Sequence, residues 1–306
     1  MSIWEQFRLN IGESTREELA LRDTALPDLD WTIFPPDAVR STFDAPSGSL
    51  SVISIGQPEA PRVVLVPGVT GSKEDFVLLA PLLANAGYFV QSYDLAGQYE
   101  SALAGPTGTE QYSYDLFVID LIAFLESGST PAHVLGYSFG GIIAQIALAQ
   151  RPDLFGTLAL MSVPPRSGQS FSGVRWIGPI SYVISARGIA SLMVWGIVTN
   201  KNKVPPGRLD LVRMRFSYTS RRSIDDITLL MKHVPDSSVD VRSSKVPLLI
   251  AVGHHDLWPI DQHREFATRI NAEFRVYPTG HSPCETTPHL LAYDLIELFH
   301  RTPITP

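Results

Sequence analysis

The stretch His133–Pro152, HVLGYSFGGIIAQIALAQRP, joins two different patterns at one serine. Its first part is a short apolar run, typical of a strand that is buried on both faces. Its last part has the length and apolar spacing of a buried helix, and it ends at an Arg-Pro pair. Ser138 lies at the corner between the two, with Gly136 and Gly140 two positions away on either side.

A sharp turn from a strand into a helix explains this composition. Such a turn strains its central residue, leaves room for little more than glycine beside it, and lifts the central side chain clear of the sheet. The serine oxygen then lies at the N-terminus of the helix, where the helix dipole favours negative charge. The five-residue pattern is short and only suggestive alone, but its flanking strand and helix predict that Ser138 is an exposed nucleophile.

Strands and helices alternate on both sides of this corner, which predicts an α/β fold. Right-handed crossovers between such strands give a mostly parallel sheet with helices on both faces. The alternation stops over residues 163–234, which we interpret as an inserted helical cap on a core formed by residues 45–162 and 235–306. Residues 1–44 are interpreted as an N-terminal extension that packs on this core. The predicted strands are SLSVISIG, RVVLVPG, YFVQSYDL, AHVLGYS, GTLALMS, VPLLIAVG and AEFRVYP. Helical spacing predicts, among others, a helix over SKEDFVLLAPLLANAG and one near DQHREFATRIN.

Composition excludes several classes of protein. A chain of 306 residues with 44% hydrophobic residues can bury a large core, and its net charge of −7 offers no basic surface to nucleic acid. The single cysteine, Cys284, cannot form an internal disulfide, and the charged N-terminus lacks the apolar core of a secretory signal. Arg187 interrupts the most apolar region, 176–198, so we predict no transmembrane segment. We expect a cytoplasmic protein; its oligomeric state is left open.

A serine hydroxyl is a weak nucleophile at neutral pH, so it needs a base and a third group that orients the base. Asp256 comes just after the predicted strand VPLLIAVG, and His281 comes just after AEFRVYP. Loops at the carboxyl ends of parallel strands converge on one edge of the sheet. Ser138, Asp256 and His281 are therefore expected to meet.

Over roughly residues 45–302 the sequence resembles the α/β-hydrolase fold superfamily of serine hydrolases with a helical cap domain. The resemblance implies that Ser138 is the nucleophile of a catalytic triad, His281 the general base and then acid, and Asp256 the orienting carboxylate. It implies no cofactor and no metal. The matching motifs, in the family's order, are LVPGVTGSKEDF, YDLAGQYES, GYSFGG, RPDLFGTLALMS, GHHDLWPI and TGHSPCETTP.

The same resemblance implies an oxyanion hole made by two backbone N–H groups. Phe139, which follows the nucleophile, would supply one, and Val69 in the loop after RVVLVPG would supply the other. Two positions depart from the family's common pattern. Pro67 stands where many relatives have histidine, and Tyr99 stands where relatives often have glycine.

Other chemistry-bearing residues have simpler interpretations. His254 and His255 adjoin Asp256, but no further ligands stand at matching spacing, so we predict no metal site. Asp94 is an alternative acid whose place in a turn favours a capping role. Cys284 is expected to be a small buried thiol, because Ser138 already occupies the position of the nucleophile.

Apolar side chains in the cap predict a small-molecule substrate with an apolar portion. Each of these side chains can also serve only to pack the cap onto the core. The candidate residues of the substrate pocket are Trp176, Met193, Trp195 and Trp258.

The predicted function is a serine esterase, which cleaves an ester or related acyl bond through an acyl-enzyme. The same triad also serves carbon–carbon bond hydrolases and thioesterases. In a different class, a ligand-binding or receptor protein on a hydrolase scaffold stays open. Dehalogenases and epoxide hydrolases of this fold use an aspartate nucleophile, which is absent at Ser138, so they are disfavoured.

Overall fold

The computed structural model describes Trp4, Phe7 and residues 11–174, 184–199 and 204–303. Its centre is an eight-stranded sheet with the order β1-β2-β4-β3-β5-β6-β7-β8. The first two pairings in this order, β1 with β2 and β2 with β4, are antiparallel, and the others are parallel. This confirms the predicted α/β fold class. The strands are β1 (Val39–Ala45), β2 (Gly48–Ile55), β3 (Arg62–Val66), β4 (Phe89–Tyr93), β5 (Ala132–Tyr137), β6 (Phe155–Met161), β7 (Leu248–Gly253) and β8 (Glu273–Tyr277).

The central strands β3, β5, β6 and β7 are buried along their whole length, as continuous apolar runs predict. Separate apolar layers cover the two faces of the sheet. One layer contains residues of α3, α4 and α9, and the other contains residues of α1, α2 and α11. The helices are α1 (Arg16–Thr24), α2 (Leu79–Asn85), α3 (Tyr114–Glu126), α4 (Phe139–Gln150), α5 (Ala186–Val198), α6 (Pro206–Tyr218), α7 (Arg221–Met231), α8 (Ser238–Ser243), α9 (Ile260–Ile270), α10 (Pro283–Thr286) and α11 (Pro288–Phe299).

Helices α5, α6 and α7 lie in the chain between β6 and β7, within the segment that we interpret as the cap. Helix α5 contacts both α6 and α7, and α6 also contacts the short helical turn Tyr99–Ser101 of the core. None of the helices within the described ranges is both long and apolar enough to cross a membrane.

The structure corrects two details of the predicted elements. Residues 1–44, interpreted as an extension, contain most of β1, whose signal is weak because this edge strand is largely exposed and the apolar face of VRSTFDA is short and interrupted by Ser41. The single helix expected over SKEDFVLLAPLLANAG is divided into a 3₁₀ turn, Lys73–Phe76, and the short helix α2. The first half of this segment forms the tighter 3₁₀ turn because its charged side chains bind partners inside the protein.

Three described residues near the start of the chain lie against the layer that contains α2 and α11. Trp4, Phe7 and Ile11 are all buried in this layer. The ring of Phe7 stacks on His289 of α11, with a centroid distance of 5.7 Å. The carbonyl of Phe7 accepts a hydrogen bond of 2.6 Å from the side chain of Asn85.

Candidate active site

Ser138 occupies a strained turn between β5 and α4. Its φ of 50° and ψ of −114° are unfavourable for any residue with a side chain. The glycines beside it are required by close contacts: a Cβ on Gly140 would lie 2.4 Å from the carbonyl oxygen of Pro67, and one on Gly136 would lie 2.5 Å from the Cα of Gly141. The strain is thus held in place by tight packing of the backbone, which directs the serine out of the sheet.

The structure brings Ser138, His281 and Asp256 together at the carboxyl edge of the sheet. The Nε2 of His281 lies 3.3 Å from the Oγ of Ser138, and its Nδ1 lies 2.6 Å from the Oδ1 of Asp256. The same Oδ1 accepts a hydrogen bond of 2.5 Å from the N–H of Leu257. A serine, an imidazole and a carboxylate in this arrangement can pass a proton from the serine to the imidazole and stabilise the resulting charge.

The carboxyl of Asp256 is kept ionised by its surroundings. Burial acts to raise its pKa, but the neighbouring imidazoles of His281 and His263 outweigh burial and hold the pKa well below its usual range. An ionised Asp256 can accept the Nδ1–H of His281, which leaves the lone pair of Nε2 directed at the serine.

Two aromatic rings enclose the imidazole of His281. Trp258 lies 5.8 Å from it between ring centroids, and Tyr137 lies 5.4 Å away. Both rings are themselves fixed by hydrogen bonds: the indole N–H of Trp258 donates to the carbonyl of Ser170 at 2.7 Å, and the hydroxyl of Tyr137 bonds to that of Ser282 at 2.8 Å. The imidazole is therefore restricted to a narrow range of orientations.

The loop after β3 runs beside the serine. A Cβ on Gly68 would lie 3.1 Å from the Cβ of Ser138. The next two amides after Val69 are already engaged, since Thr70 N–H donates to Gln98 Oε1 at 2.9 Å and Gly71 N–H donates to the carbonyl of Gly68 at 3.1 Å.

Phe139, on the other side of the serine, is the first residue of α4. The first amides of a helix have no acceptor within the helix. The amide of Phe139 can therefore bind a ligand beside Ser138.

The departure at Tyr99 has a structural explanation. Tyr99 has a φ of 40°, in the left-handed region where glycine is favoured, which fits the glycine that relatives often have there. Its N–H donates to Thr219 Oγ1 at 3.0 Å, and the adjacent Gln98 donates through its amide to Ser223 Oγ at 2.5 Å. In this chain the turn thus connects the loop after β3 with the C-terminal end of α6 and the first turn of α7, in the segment that we interpret as the cap.

The candidate pocket residues have different positions. Trp258 is 3% exposed and lies against His281, as described above. Met193 is half-buried in α5, and Trp195 of the same helix is 55% exposed. Trp176 lies outside the described residues.

The other candidates behave as structural groups. Asp94 is fully buried and accepts hydrogen bonds from the backbone N–H of Lys73 at 2.8 Å and from its ammonium group at 2.9 Å. Cys284 is buried, and burial raises the pKa of its thiol well above the usual value. In the described part of the chain, no cluster of three or more His, Cys, Asp or Glu side chains could hold a metal ion.

Sequence reasoning missed one residue of the site, His263. It lies on α9 with its Nε2 3.2 Å from the Oδ2 of Asp256. A signal was available, because the buried face of α9 follows helical spacing and His263 is the one polar residue on it. This face consists of His263, Phe266, Ala267 and Ile270.

Comparison with known proteins identifies the family. The family model for the alpha/beta hydrolase family matches residues 63–295, and the chain therefore belongs to this family. The structure is similar to the enol-lactonase from Burkholderia xenovorans LB400, with a TM-score of 0.67 and 18% identity, over 85% of this chain and 100% of that one. At this level of identity the likeness concerns the fold.

Two sequence relatives are similar over shorter stretches. Epoxide hydrolase A of Mycobacterium tuberculosis is 30% identical over 116 residues, which cover 38% of this chain and 35% of the relative. Strigolactone esterase RMS3 of Pisum sativum is 29% identical over 109 residues, which cover 32% of this chain and 40% of the relative. The chain thus matches less than half the length of each relative. Together with the family match, these similarities place the chain in the alpha/beta hydrolase family.

Proposed function

We propose that the protein is a serine hydrolase that cleaves an ester or related acyl bond of a partly apolar small molecule through an acyl-enzyme. The observation that carries this proposal is the continuous contact from Ser138 Oγ to His281 Nε2 at 3.3 Å and from His281 Nδ1 to Asp256 Oδ1 at 2.6 Å. A serine needs such a base, oriented by such an acid, to attack a carbonyl carbon.

In the first half of the reaction, Ser138 Oγ forms a bond to the carbonyl carbon while its proton moves to His281 Nε2. The carbonyl oxygen becomes an anion, for which the N–H groups of Val69 and Phe139 are the proposed donors. The bond from carbon to the leaving oxygen then breaks, and His281 returns its proton to that oxygen. The alcohol departs and the acyl group stays on Ser138 as an ester.

In the second half, water attacks the acyl-enzyme by the same route. His281 takes a proton from the water as the new carbon–oxygen bond forms, and the anion again faces Val69 and Phe139. Collapse breaks the bond to Ser138, and His281 protonates the departing serine oxygen. The acid is released and the enzyme returns to its starting state. Throughout, ionised Asp256 stabilises the imidazolium that forms twice per cycle.

The chemistry of serine argues against epoxide opening, despite the similarity to an epoxide hydrolase. A carboxylate nucleophile that opens an epoxide forms an ester, which water can hydrolyse at its carbonyl carbon. Ser138 would instead form an ether, which has no carbonyl carbon for water to attack. An enzyme with serine at this position is therefore suited to acyl substrates.

The test is hydrolysis of a chain-length series of p-nitrophenyl esters by the purified protein and by Ser138→Ala. We expect turnover by the wild type and a loss of at least about a thousandfold in the variant, because the remaining groups cannot replace the nucleophile. The preferred acyl chain length indicates the size of the pocket that binds the acyl group. We also expect the rate to fall on acidification, since a protonated imidazole cannot accept the serine proton.

A matched control is Ser217→Ala, at an exposed serine of α6 whose hydroxyl bonds only to the carbonyl of Met214 among the described residues. It should retain full activity. A fluorophosphonate probe should add its phosphonyl group to the wild type and to Ser217→Ala but not to Ser138→Ala, as measured by intact mass. Equal labelling of all three proteins, or ester hydrolysis that survives in Ser138→Ala, would contradict the proposed nucleophile.

Inactivity of the wild type towards every ester, with no labelling by the probe, would argue against the esterase. Thioester and carbon–carbon substrates would then be tested with the same variants. Tight retention of a ligand without turnover would favour the ligand-binding alternative.

A further inference from the structure

A second imidazole faces the proposed catalytic carboxylate. The side chain of His263 is fully buried, and its Nε2 lies 3.2 Å from the Oδ2 of Asp256, which is fully buried too. The two atoms are close enough for a hydrogen bond but are not aligned for a good one. Neither atom, nor the Nδ1 of His263, has a hydrogen-bond partner elsewhere in the described part of the chain.

A buried imidazole with so few partners is costly, so its presence calls for an explanation. An apolar side chain would fill the same place on the apolar face of α9 without that cost. Among the described residues, the ring has its ionic contact with Asp256, and the ring of Trp258 lies 6.4 Å away between centroids. His263 is therefore directed at the one oxygen of Asp256 that His281 leaves unbound.

Other charged groups on the elements packed against α9 are directed elsewhere. On β8, Arg275 pairs with Glu273 at 3.2 Å and with Asp294 at 3.3 Å. On α8, Asp240 and Arg242 are exposed. Charged residues of α9 itself also have partners or positions away from His263: Arg264 lies 3.8 Å from Asp261, Glu265 lies 3.8 Å from Arg166, and Arg269 donates to the carbonyl of Pro165.

We propose that His263 is a positioning residue, whose Nε2–H holds the Oδ2 of Asp256 so that Oδ1 stays directed at His281. The proposal rests on the serine hydrolase function proposed above. Because Asp256 accepts and does not donate when ionised, His263 carries its proton on Nε2. A carboxylate bound at one oxygen can rotate about its Cβ–Cγ bond, whereas a donor on each oxygen fixes its plane.

The second donor also has an electrostatic effect. It withdraws part of the negative charge of Asp256, and that charge stabilises the imidazolium form of His281. Without the donor, Asp256 would hold protonated His281 more firmly. The pH at which His281 loses its proton would then rise, and with it the midpoint of the activity profile.

The experiment compares His263→Gln with His263→Leu in the full-length protein. Glutamine places an amide N–H near the position of Nε2 and keeps the donor, whereas leucine has a similar volume and no donor. We expect His263→Leu to lose roughly tenfold or more in kcat on the preferred p-nitrophenyl ester. We expect the midpoint of kcat/KM against pH to move upward by about half a pH unit or more. His263→Gln should recover most of the rate and the wild-type midpoint.

A merely structural role predicts a different pattern. Both variants would then lose thermal stability, measured by circular dichroism, while the midpoint stayed at the wild-type value. That outcome, or equal loss in the two variants, would overturn the proposal. If His263→Leu does not fold, His263→Asn replaces it, because the shorter amide does not reach Oδ2 and should behave like leucine.

A second readout separates this proposal from the proposed function. Titration of the imidazole of His281, followed by NMR in the resting protein, needs no substrate. Its midpoint should rise in His263→Leu and return in His263→Gln even if no ester is hydrolysed. If the wild type hydrolyses no ester but the variants show this shift, the result would contradict the esterase and support the positioning role of His263. Ester turnover without this shift would support the esterase and contradict the positioning role of His263.

Discussion

His133 shows how one buried side chain makes the stability of the protein depend on pH. It lies in the middle of the sheet, bonds to Thr157 Oγ1 at 3.0 Å, and stacks on Phe299 at 4.2 Å. Burial, with a smaller effect of His300, lowers its pKa from 6.5 to about 4. Below pH 6.5, His133 is protonated in the unfolded chain but stays neutral in the folded protein until about pH 4. Acidification over this range therefore favours unfolding.

We predict that this one group removes up to about 3 kcal/mol of the unfolding free energy between pH 7 and 4. His133→Asn keeps a partner for Thr157 but does not titrate. Between pH 7 and 4 its unfolding free energy should therefore fall by less than that of the wild type, and the difference should equal the contribution of His133. Urea denaturation at several pH values measures both, and all other titrating groups cancel in the comparison. If the unfolding free energies of the two proteins depend on pH in the same way, protonation of His133 does not contribute to acid destabilisation.

For single residues, the sequence indicated Ser138, Asp256 and His281 as candidates because each lies in the turn or loop that follows a strand, and strand ends are easy to locate. His263 was not identified, because its partner Oδ2 is supplied by a loop whose path cannot be derived from the spacing on α9. The same limit applies to Gln98, whose bonds to Thr70 and Ser223 join three distant segments. Contacts between loops depend on tertiary packing, which a local pattern does not contain.

A buried ionic cluster joins helix α6 of the proposed cap to the 3₁₀ turn Lys73–Phe76 and to helix α10 of the core. Arg208 of α6 donates to Asp75 Oδ1 at 2.8 Å and to Glu285 Oε2 at 3.0 Å, and Arg215 donates to Asp75 at 2.7 Å. Asp75 follows the proposed oxyanion loop, and Glu285 lies just beyond His281. The two arginines hold the pKa of Asp75 below its usual range, although burial opposes them.

We predict that Arg208→Met lowers the unfolding free energy by about 3–5 kcal/mol, because it leaves buried carboxylates with too few partners. Adding Glu285→Gln should restore part of the loss, since the uncompensated charge is removed. The control is Arg187→Met on α5, where an 81% exposed arginine pairs with Asp225 and should contribute less than about 1 kcal/mol. Chemical denaturation tests all three. Equal effects at Arg208 and Arg187 would contradict a buried cluster.

Elements with a clear period were predicted closely, and those shaped by tertiary contacts were not. Predicted helices such as DQHREFATRIN correspond to α9, because an amphipathic face must be buried. The charged run SKED was assigned to a helix, whereas all four residues are buried and the segment begins as a 3₁₀ turn. Burying four polar residues in succession requires partners from distant parts of the chain, such as Arg208 and Asp94.

For the whole molecule, the mostly parallel sheet with helices on both faces followed from general rules on alternating strands and helices, while the strand order and the course of the first 44 residues did not. The expectation of an extension that packs on the core missed β1, because the apolar alternation of this largely exposed edge strand is short and interrupted by Ser41. It also gave no sign that α1 meets α11 near the other end of the chain. Only the folded structure shows the partner of Asp23, in α1, which is His289, in α11.

This contact leads to a prediction about the whole molecule. Asp23 accepts the N–H groups of His289 and Leu290 at 2.9 and 3.1 Å, and also bonds to the imidazole of His289 at 2.8 Å. These amides belong to the first turn of α11, where no acceptor exists within the helix. We expect Asp23→Ala to lower the unfolding free energy by about 2 kcal/mol, because buried donors lose their acceptor.

Asp23→Asn should lower the unfolding free energy less than Asp23→Ala does, because its side-chain oxygen can still accept a hydrogen bond from one of the two backbone N–H groups. Asp37→Ala, at an exposed aspartate, should stay within about 0.5 kcal/mol of the wild type. Urea denaturation followed by both circular dichroism and tryptophan fluorescence gives the free energy for each variant. If α1 and α11 stabilise one cooperative unit, both signals in Asp23→Ala shift together to lower urea. A shift no larger than that of Asp37→Ala would mean that the contact between the two ends of the chain adds nothing to the stability of the protein.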